Sequence, residues 1–238
     1  MHCLGIDLAT RRYADIGLAL LTRRSGWIEV QLVRPARAGQ TGTPTVTALA
    51  GLVAELNQRH RLQVIAIDGP QAWKGADTGL AHARCCEQIL NTQAKTGLPG
   101  VAKPASTLRF VAFAIELFDA LAALGWPRLA EPVAHPPTPV AVEVWPTAAW
   151  RALGLRALPA KRITTEQDVA HWLAQLQARF PLQLEQTPTH DELQAIVAGL
   201  VGMALGERTL PPLQFYGRPP VLCDGTWREG YLVNFAQG

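Results

Sequence analysis

No apolar run in this 238-residue chain approaches the ~18 residues that cross a bilayer. The N-terminus also lacks the charged and apolar regions of a signal peptide. The expectation is a soluble, cytoplasmic protein with no membrane partner. Cysteine is scarce. The four residues Cys3, Cys85, Cys86 and Cys223 make no C-x-x-C pair and have no zinc-type spacing, which fits reduced thiols. Charge is thin as well: 17% of residues, with a net charge of +3. Lys and Arg are spread along the chain, with small pairs at Arg11-Arg12, Arg23-Arg24 and Lys161-Arg162. A dedicated nucleic-acid binder usually carries a stronger basic stripe, so composition neither supports nor excludes an anionic substrate. There is no internal repeat and no composition break that compels two domains. What the chain does have is apolar content, 48%, enough for a substantial core.

Apolar patterning predicts strands over residues 1–9, 15–22 and 27–33, the last two joined by a turn at Arg23-Arg24-Ser25-Gly26. Three such strands in succession make an antiparallel meander. Val46, Leu49, Leu52, Val53 and Leu56 form one helical stripe within residues 44–60. The continuous apolar run 62–67 reads as a strand covered on both faces, and one reached through a helix is parallel to its predecessor. The order β-β-β-α-β belongs to a mixed α/β sheet flanked by helices. Residues 71–138 read as a loop-rich and helical insertion in one domain spanning residues 1–238, with helices over 79–90 and 108–124 and a proline-rich connector over 127–139. A strand over 139–145 and helices over 147–153, 165–180 and 190–206 follow. The last helix opens on a capping-box pattern, Thr189-His190-Asp191-Glu192. Pro211, Pro212, Pro219 and Pro220 then mark a tail ending in a short strand over 230–235.

Four carboxylates stand where a packed domain rarely places charge. Asp7 closes Cys3-Leu4-Gly5-Ile6, Asp68 closes Val64-Ile65-Ala66-Ile67, Glu143 lies inside Val140-Ala141-Val142-Glu143-Val144-Trp145-Pro146, and Asp191 opens the last helix. Burying an ionised carboxylate is unfavourable unless it is paired, hydrogen-bonded or bound to a cation. If the first and fourth strands are parallel neighbours, Asp7 and Asp68 share the carboxyl end of the sheet, where open α/β folds bind ligands. Three carboxylates at one point repel unless neutralised, and such oxygen clusters suit Mg²⁺ or Mn²⁺. Two metals ~3.5–4 Å apart can activate water and stabilise the leaving oxygen of a phosphodiester. Each residue has a plainer explanation too: the helix dipole for Asp191, a turn before Gly69-Pro70 for Asp68, a solvent-facing edge for Glu143. His190 is a candidate general base or substrate contact, or a surface residue. Arg84, Glu87 and Lys161 are candidate phosphate-side contacts, or solvated charge.

Six short motifs resemble, in order, the family called domain of unknown function 429. They are Gly5-Ile6-Asp7-Leu8-Ala9, Ile67-Asp68-Gly69-Pro70, Arg84-Cys85-Cys86-Glu87, Glu143-Val144-Trp145-Pro146, His190-Asp191-Glu192 and Glu229-Gly230-Tyr231. The resemblance implies a ribonuclease H-like fold and a metal-dependent nuclease. Asp7, Asp68 and Asp191 would be metal ligands, placed as in Holliday-junction resolvases, with Glu143 a fourth ligand or a base. It also marks a departure. The family often carries a second Asp three residues into the last helix, where this chain has Gln194-Ala195.

The leading expectation is thus a nuclease that uses Mg²⁺ or Mn²⁺ and takes nucleic acid as substrate, of undetermined oligomeric state. An actin-like phosphotransferase or nucleotide hydrolase is disfavoured. Its phosphate-cradling glycine turn is missing from Leu8-Ala9-Thr10-Arg11-Arg12. A non-catalytic nucleic-acid or protein-binding module on the same fold stays open.

Overall fold

A computed structural model describes residues 1–137 and 139–237. Strands β1 (His2–Asp7), β2 (Gly17–Arg23) and β3 (Ile28–Leu32) form the expected antiparallel meander. Helix α1 (Val46–His60) is capped by Thr45, whose side chain accepts from the Ala48 amide at 3.2 Å. Its buried stripe, Leu49, Leu52, Val53 and Leu56, lies against the sheet. Strand β4 (Val64–Asp68) returns parallel to β1. Next come α2 (Cys85–Leu90), a small ladder of β5 (Lys95–Thr96) with β6 (Ala102–Lys103), and α3 (Leu108–Ala123). Strand β7 (Val140–Val144) lies parallel to β4 and is followed by α4 (Pro146–Ala152) and α5 (Glu166–Gln177). Strand β8 (Leu182–Leu184), helix α6 (His190–Ala204) and the hairpin β9 (Leu213–Cys223) and β10 (Thr226–Phe235) complete the chain.

One eight-stranded mixed sheet results, in the order β8-β3-β2-β1-β4-β7-β10-β9. Its inner part, an antiparallel meander whose first strand pairs in parallel with β4, and β4 with β7, has the strand order expected of a ribonuclease H-like sheet. Alternation along the strands divides the core into two layers. Cys3, Ala66 and Val142 face α6, whereas Leu4, Ile65 and Ala141 face α1 and α3. Helix α6 lies unusually close to β1 and β2 because two glycines admit it. A Cβ on Gly5 would stand 1.9 Å from the Ala195 carbonyl oxygen, and one on Gly17 would stand 2.0 Å from that of Asp191.

Several boundaries differ from the sequence reading. Strand β1 stops at Asp7 instead of running to Ala9. Helix α2 starts at Cys85, well after residue 79, because Gly79 turns left-handed after a short 3-10 turn and the helix is capped only at Arg84. The tail is a long hairpin. Its turn is Asp224-Gly225, both left-handed (φ 49° and 71°), the chemistry of a two-residue hairpin loop. Pro219 and Pro220 fit within β9 because that strand is the sheet's edge and both fall at a bulge in its pairing with β10, between Arg218 and Val221, where no ladder donor is required. Strand β8 has three residues, too few for alternation to register. Thr138, in the proline-rich connector, lies outside the described residues. Among the described residues no helix is long and apolar enough to cross a membrane.

Candidate active site

The parallel pairing of β1 and β4 sets Asp7 directly beside Asp68 in register. On its other side Asp7 pairs with Gly17, so the row across the sheet reads Gly17, Asp7, Asp68, Val144. Asp7 and Asp68 share the parity of Cys3 and Ala66 and therefore belong to the α6 face. The bare Gly17 lets the first turn of α6 descend onto this row, which carries Asp191 to the pair. That turn is held by the anticipated capping box. The Thr189 hydroxyl accepts from the Glu192 amide at 3.3 Å, and the Glu192 carboxylate accepts from the Thr189 amide at 2.7 Å. Arg34 then fastens Glu192 at 2.8 Å.

Electrostatics single out the two strand-end carboxylates. Burial, then the negative charges of Asp68 and Asp191, push the Asp7 carboxyl well above its ordinary range, with Lys161 opposing. Burial, then Glu143, pushes Asp68 up to about 7. No hydrogen bond offsets either shift. Asp191 is differently placed. One of its oxygens faces His190 Nδ1 at 3.1 Å and the other receives Lys161 Nζ. His190 Nε2 meets the Pro159 carbonyl at 2.9 Å, so both ring nitrogens are engaged and neither is free as a base. Lys161 Nζ also donates to Asp15 at 2.8 Å, and Arg12 grips the same carboxylate at 2.8 and 2.9 Å. Those bonds, Arg12 first and Lys161 second, hold the Asp15 carboxyl down to about 2.

Among the described residues no group of three or more His, Cys, Asp or Glu side chains is arranged to hold a metal ion. The third carboxylate of the predicted triad is turned to Lys161 and His190. The remaining pair nonetheless fits a hard divalent cation by its chemistry. It offers oxygen donors only, has no hydrogen-bond partner among the described residues, and carries a repulsion that positive charge would relieve.

Glu143, Arg84 and Glu87 form a second cluster. Glu143 shares the parity of Ala141 and so leaves β7 on the face opposite Val142 and Val144. Arg84, 1% exposed, donates to Glu143 at 2.6 and 2.7 Å and to Glu87 at 2.9 and 3.1 Å. The Gln71 amide adds a bond to Glu143 at 3.0 Å. The Thr96 amide and hydroxyl, at 2.8 and 2.6 Å, complete the shell of Glu87. Arg84 and Glu87 were expected to face phosphate; in the structure their charges face each other and Glu143. A cleft of about 200 Å³ runs beside this cluster, walled by Phe110, Val111 and Trp145, with Asp68 at its margin.

Sequence reasoning overlooked Asp15, which the pattern assigned to the start of a strand. It also left Glu229 undecided. That carboxylate accepts from the Gly75 and Cys85 amides at 2.8 and 2.9 Å, tying the loop before α2 to β10. Gln194 is engaged elsewhere, its carbonyl oxygen accepting from the buried Trp150 indole at 2.8 Å.

No family model matches this sequence, and no curated protein matches it. Solved structures that align with it include two of RuvC. One is the Thermus thermophilus RuvC structure, at 14% identity and a TM-score of 0.35, covering 86% of this chain and 92% of that one. The other is T. thermophilus RuvC in complex with a Holliday junction substrate, at 14% identity and a TM-score of 0.35, covering 86% and 91%.

Taken together, the corner presents a charge-starved pair, Asp7 and Asp68, beside a basic rim. The rim joins Arg12 to Lys161 through Asp15. Two basic dipeptides far apart in the chain, Arg11-Arg12 and Lys161-Arg162, thereby meet next to the carboxylates.

Proposed function

We propose that this protein is a divalent-metal-dependent phosphodiester hydrolase, a nuclease acting on nucleic acid. We further propose that it belongs to the family called domain of unknown function 429. The observation that carries this reading is the Asp7–Asp68 pair. Two acidic side chains stand in register at the carboxyl ends of adjacent parallel strands, their carboxyls raised by burial and without hydrogen-bond partners among the described residues.

Asp7 and Asp68 would hold Mg²⁺ or Mn²⁺, with Asp191 completing the set. The chemistry supplied by a bound cation is Lewis-acid stabilisation of phosphoryl charge and acidification of a water molecule. Arg11, Arg12, Lys161 and Arg162 would draw the phosphates of the substrate to the corner. Arg84 positions Glu143 rather than touching substrate, and Glu143 in turn sets the field felt by Asp68. His190 orients Asp191 through Nδ1.

The test is calorimetric titration of Mn²⁺ into wild type and Asp7→Asn, followed by incubation of both with branched and single-stranded nucleic acids. Binding and cleavage are expected in wild type, and both should disappear in the variant, which stays folded because one repelling charge has gone. A folded Asp7→Asn protein that still cleaves would end the metal-site reading. One observation favours a second reading, a non-catalytic nucleic-acid-binding module: an ammonium already neutralises Asp191. That module would bind nucleic acid in a salt-sensitive way with no metal requirement.

A further inference from the structure

We propose that Lys161 is a resident counter-cation of the acidic corner, holding Asp191 when no divalent ion is present and yielding it when one binds. This rests on the metal-dependent reading above and assigns Lys161 a role distinct from phosphate contact.

The geometry supports an exchange rather than a static bridge. Both oxygens of Asp191 are engaged, one by His190 Nδ1 at 3.1 Å and the other by Lys161. The Asp191 side chain is only 9% exposed, so an approaching ion meets the ammonium already seated on one of its oxygens. The His190 contact is the fixed one. Its ring is anchored by the Pro159 carbonyl at 2.9 Å, and the same carbonyl accepts from the Thr164 hydroxyl at 3.0 Å. The backbone around the short 3-10 turn Lys161–Ile163 is thereby pinned to α6. The Lys161 side chain is the mobile one, a flexible stem 49% exposed.

It also has somewhere to go. Asp15 already accepts from Nζ at 2.8 Å and is itself braced by Arg12. When Asp191 turns to a cation, the ammonium can keep its bond to Asp15 and stay at the rim. Asp191 thereby trades one positive partner for another, and the divalent ion adds positive charge to a corner rich in carboxylates. Like charges at a single carboxylate exclude each other, so the two cations compete.

The experiment is Mn²⁺ calorimetry on wild type, Lys161→Met and Lys161→Arg, with Asp7→Asn as the reference for loss of the pair. Removing the competing ammonium should tighten Mn²⁺ binding by about tenfold, at the lower end of ordinary coupling between sites. Lys161→Arg keeps the charge and should show no such gain. Tightening in Lys161→Met, including binding that becomes measurable only in that variant, supports the counter-cation. Unchanged or weaker binding in Lys161→Met, with wild type binding and Asp7→Asn not, overturns this role and leaves the metal site standing. No binding by wild type or by Lys161→Met overturns both.

Discussion

Asp68 and Glu143 sit on neighbouring strands, a single residue out of register, yet they live under opposite rules. Glu143 is met by two guanidinium nitrogens and a backbone amide. Its partner Glu87 is met by the same guanidinium, by the Thr96 amide and hydroxyl, and by the Arg84 amide. Among the described residues, none donates a hydrogen bond to Asp68 or Asp7. Glu143 and Glu87 are buried and Asp7 and Asp68 half-buried, but the degree of burial is not the main contrast between the two sets. The difference is compensation. A carboxylate whose lone pairs are filled by the protein is committed to the fold. One left unfilled beside another is available to a cation from outside.

The comparison breaks most readily at Arg84. Replacing it by Met leaves Glu87 and Glu143 buried, adjacent and unpaired, and removing one partner of a buried pair costs about 3–5 kcal/mol. Urea unfolding of Arg84→Met should show a loss of that size. A loss below about 1 kcal/mol would mean that the cluster is not the closed unit described above.

The opposite cluster should respond to pH in the opposite sense from ordinary acid denaturation. With its folded value near 7 and its ordinary value at 3.8, Asp68 binds its proton more tightly folded than unfolded. Its contribution to stability is complete below about pH 4 and is lost as pH rises through 7. Asp7 acts in the same direction. Metal-free protein should therefore unfold more easily at pH 8 than at pH 5. Asp68→Asn should remove part of that slope and raise stability at pH 8 by on the order of 1–3 kcal/mol. Asp15, held down to about 2, works the other way, and its stabilisation disappears only as pH falls from 4 toward 2. Thermal melts of metal-free wild type and Asp68→Asn across pH 4–8 measure this; identical slopes would show that Asp68 is not the strained group.

The smallest effect belongs at the surface. Arg24 and Glu29 make an ion pair as short as the buried ones, 2.6 Å, but both side chains are largely in water, 51% and 42% exposed. Arg24→Ala should change unfolding stability by less than about 1 kcal/mol. A larger change would mean that contact geometry, not burial, sets the strength of pairs in this protein.

Much of the scaffold was legible locally. The meander, α1, α3 and α6 follow from apolar period and from capping residues such as Thr45 and Thr189, because those signals act within a turn or two of chain. The β9–β10 hairpin was missed although its Asp224-Gly225 turn is a local signal, since the prolines of β9 argued against a strand until its edge position was known. Asp7 and Asp68 were legible as charges closing apolar runs. Arg84 and Glu87 were visible as a motif, but their orientation was not, because an arginine on a short helix can face solvent or core without any change in local pattern.

What the sequence determined by itself was which positions carry charge at the ends of core elements, and which elements those are. Alternation and helical period arise from covalent neighbours. What only the tertiary structure decided was which of those charges would be answered. Lys161 finds Asp15 across 146 positions of sequence and Arg84 finds Glu143 across 59, while Asp7 and Asp68 meet mainly other carboxylates: each other, Asp191 and Glu143. Charge compensation depends on distances of a few ångströms in space, and those are set by strand order and by a bare glycine under α6.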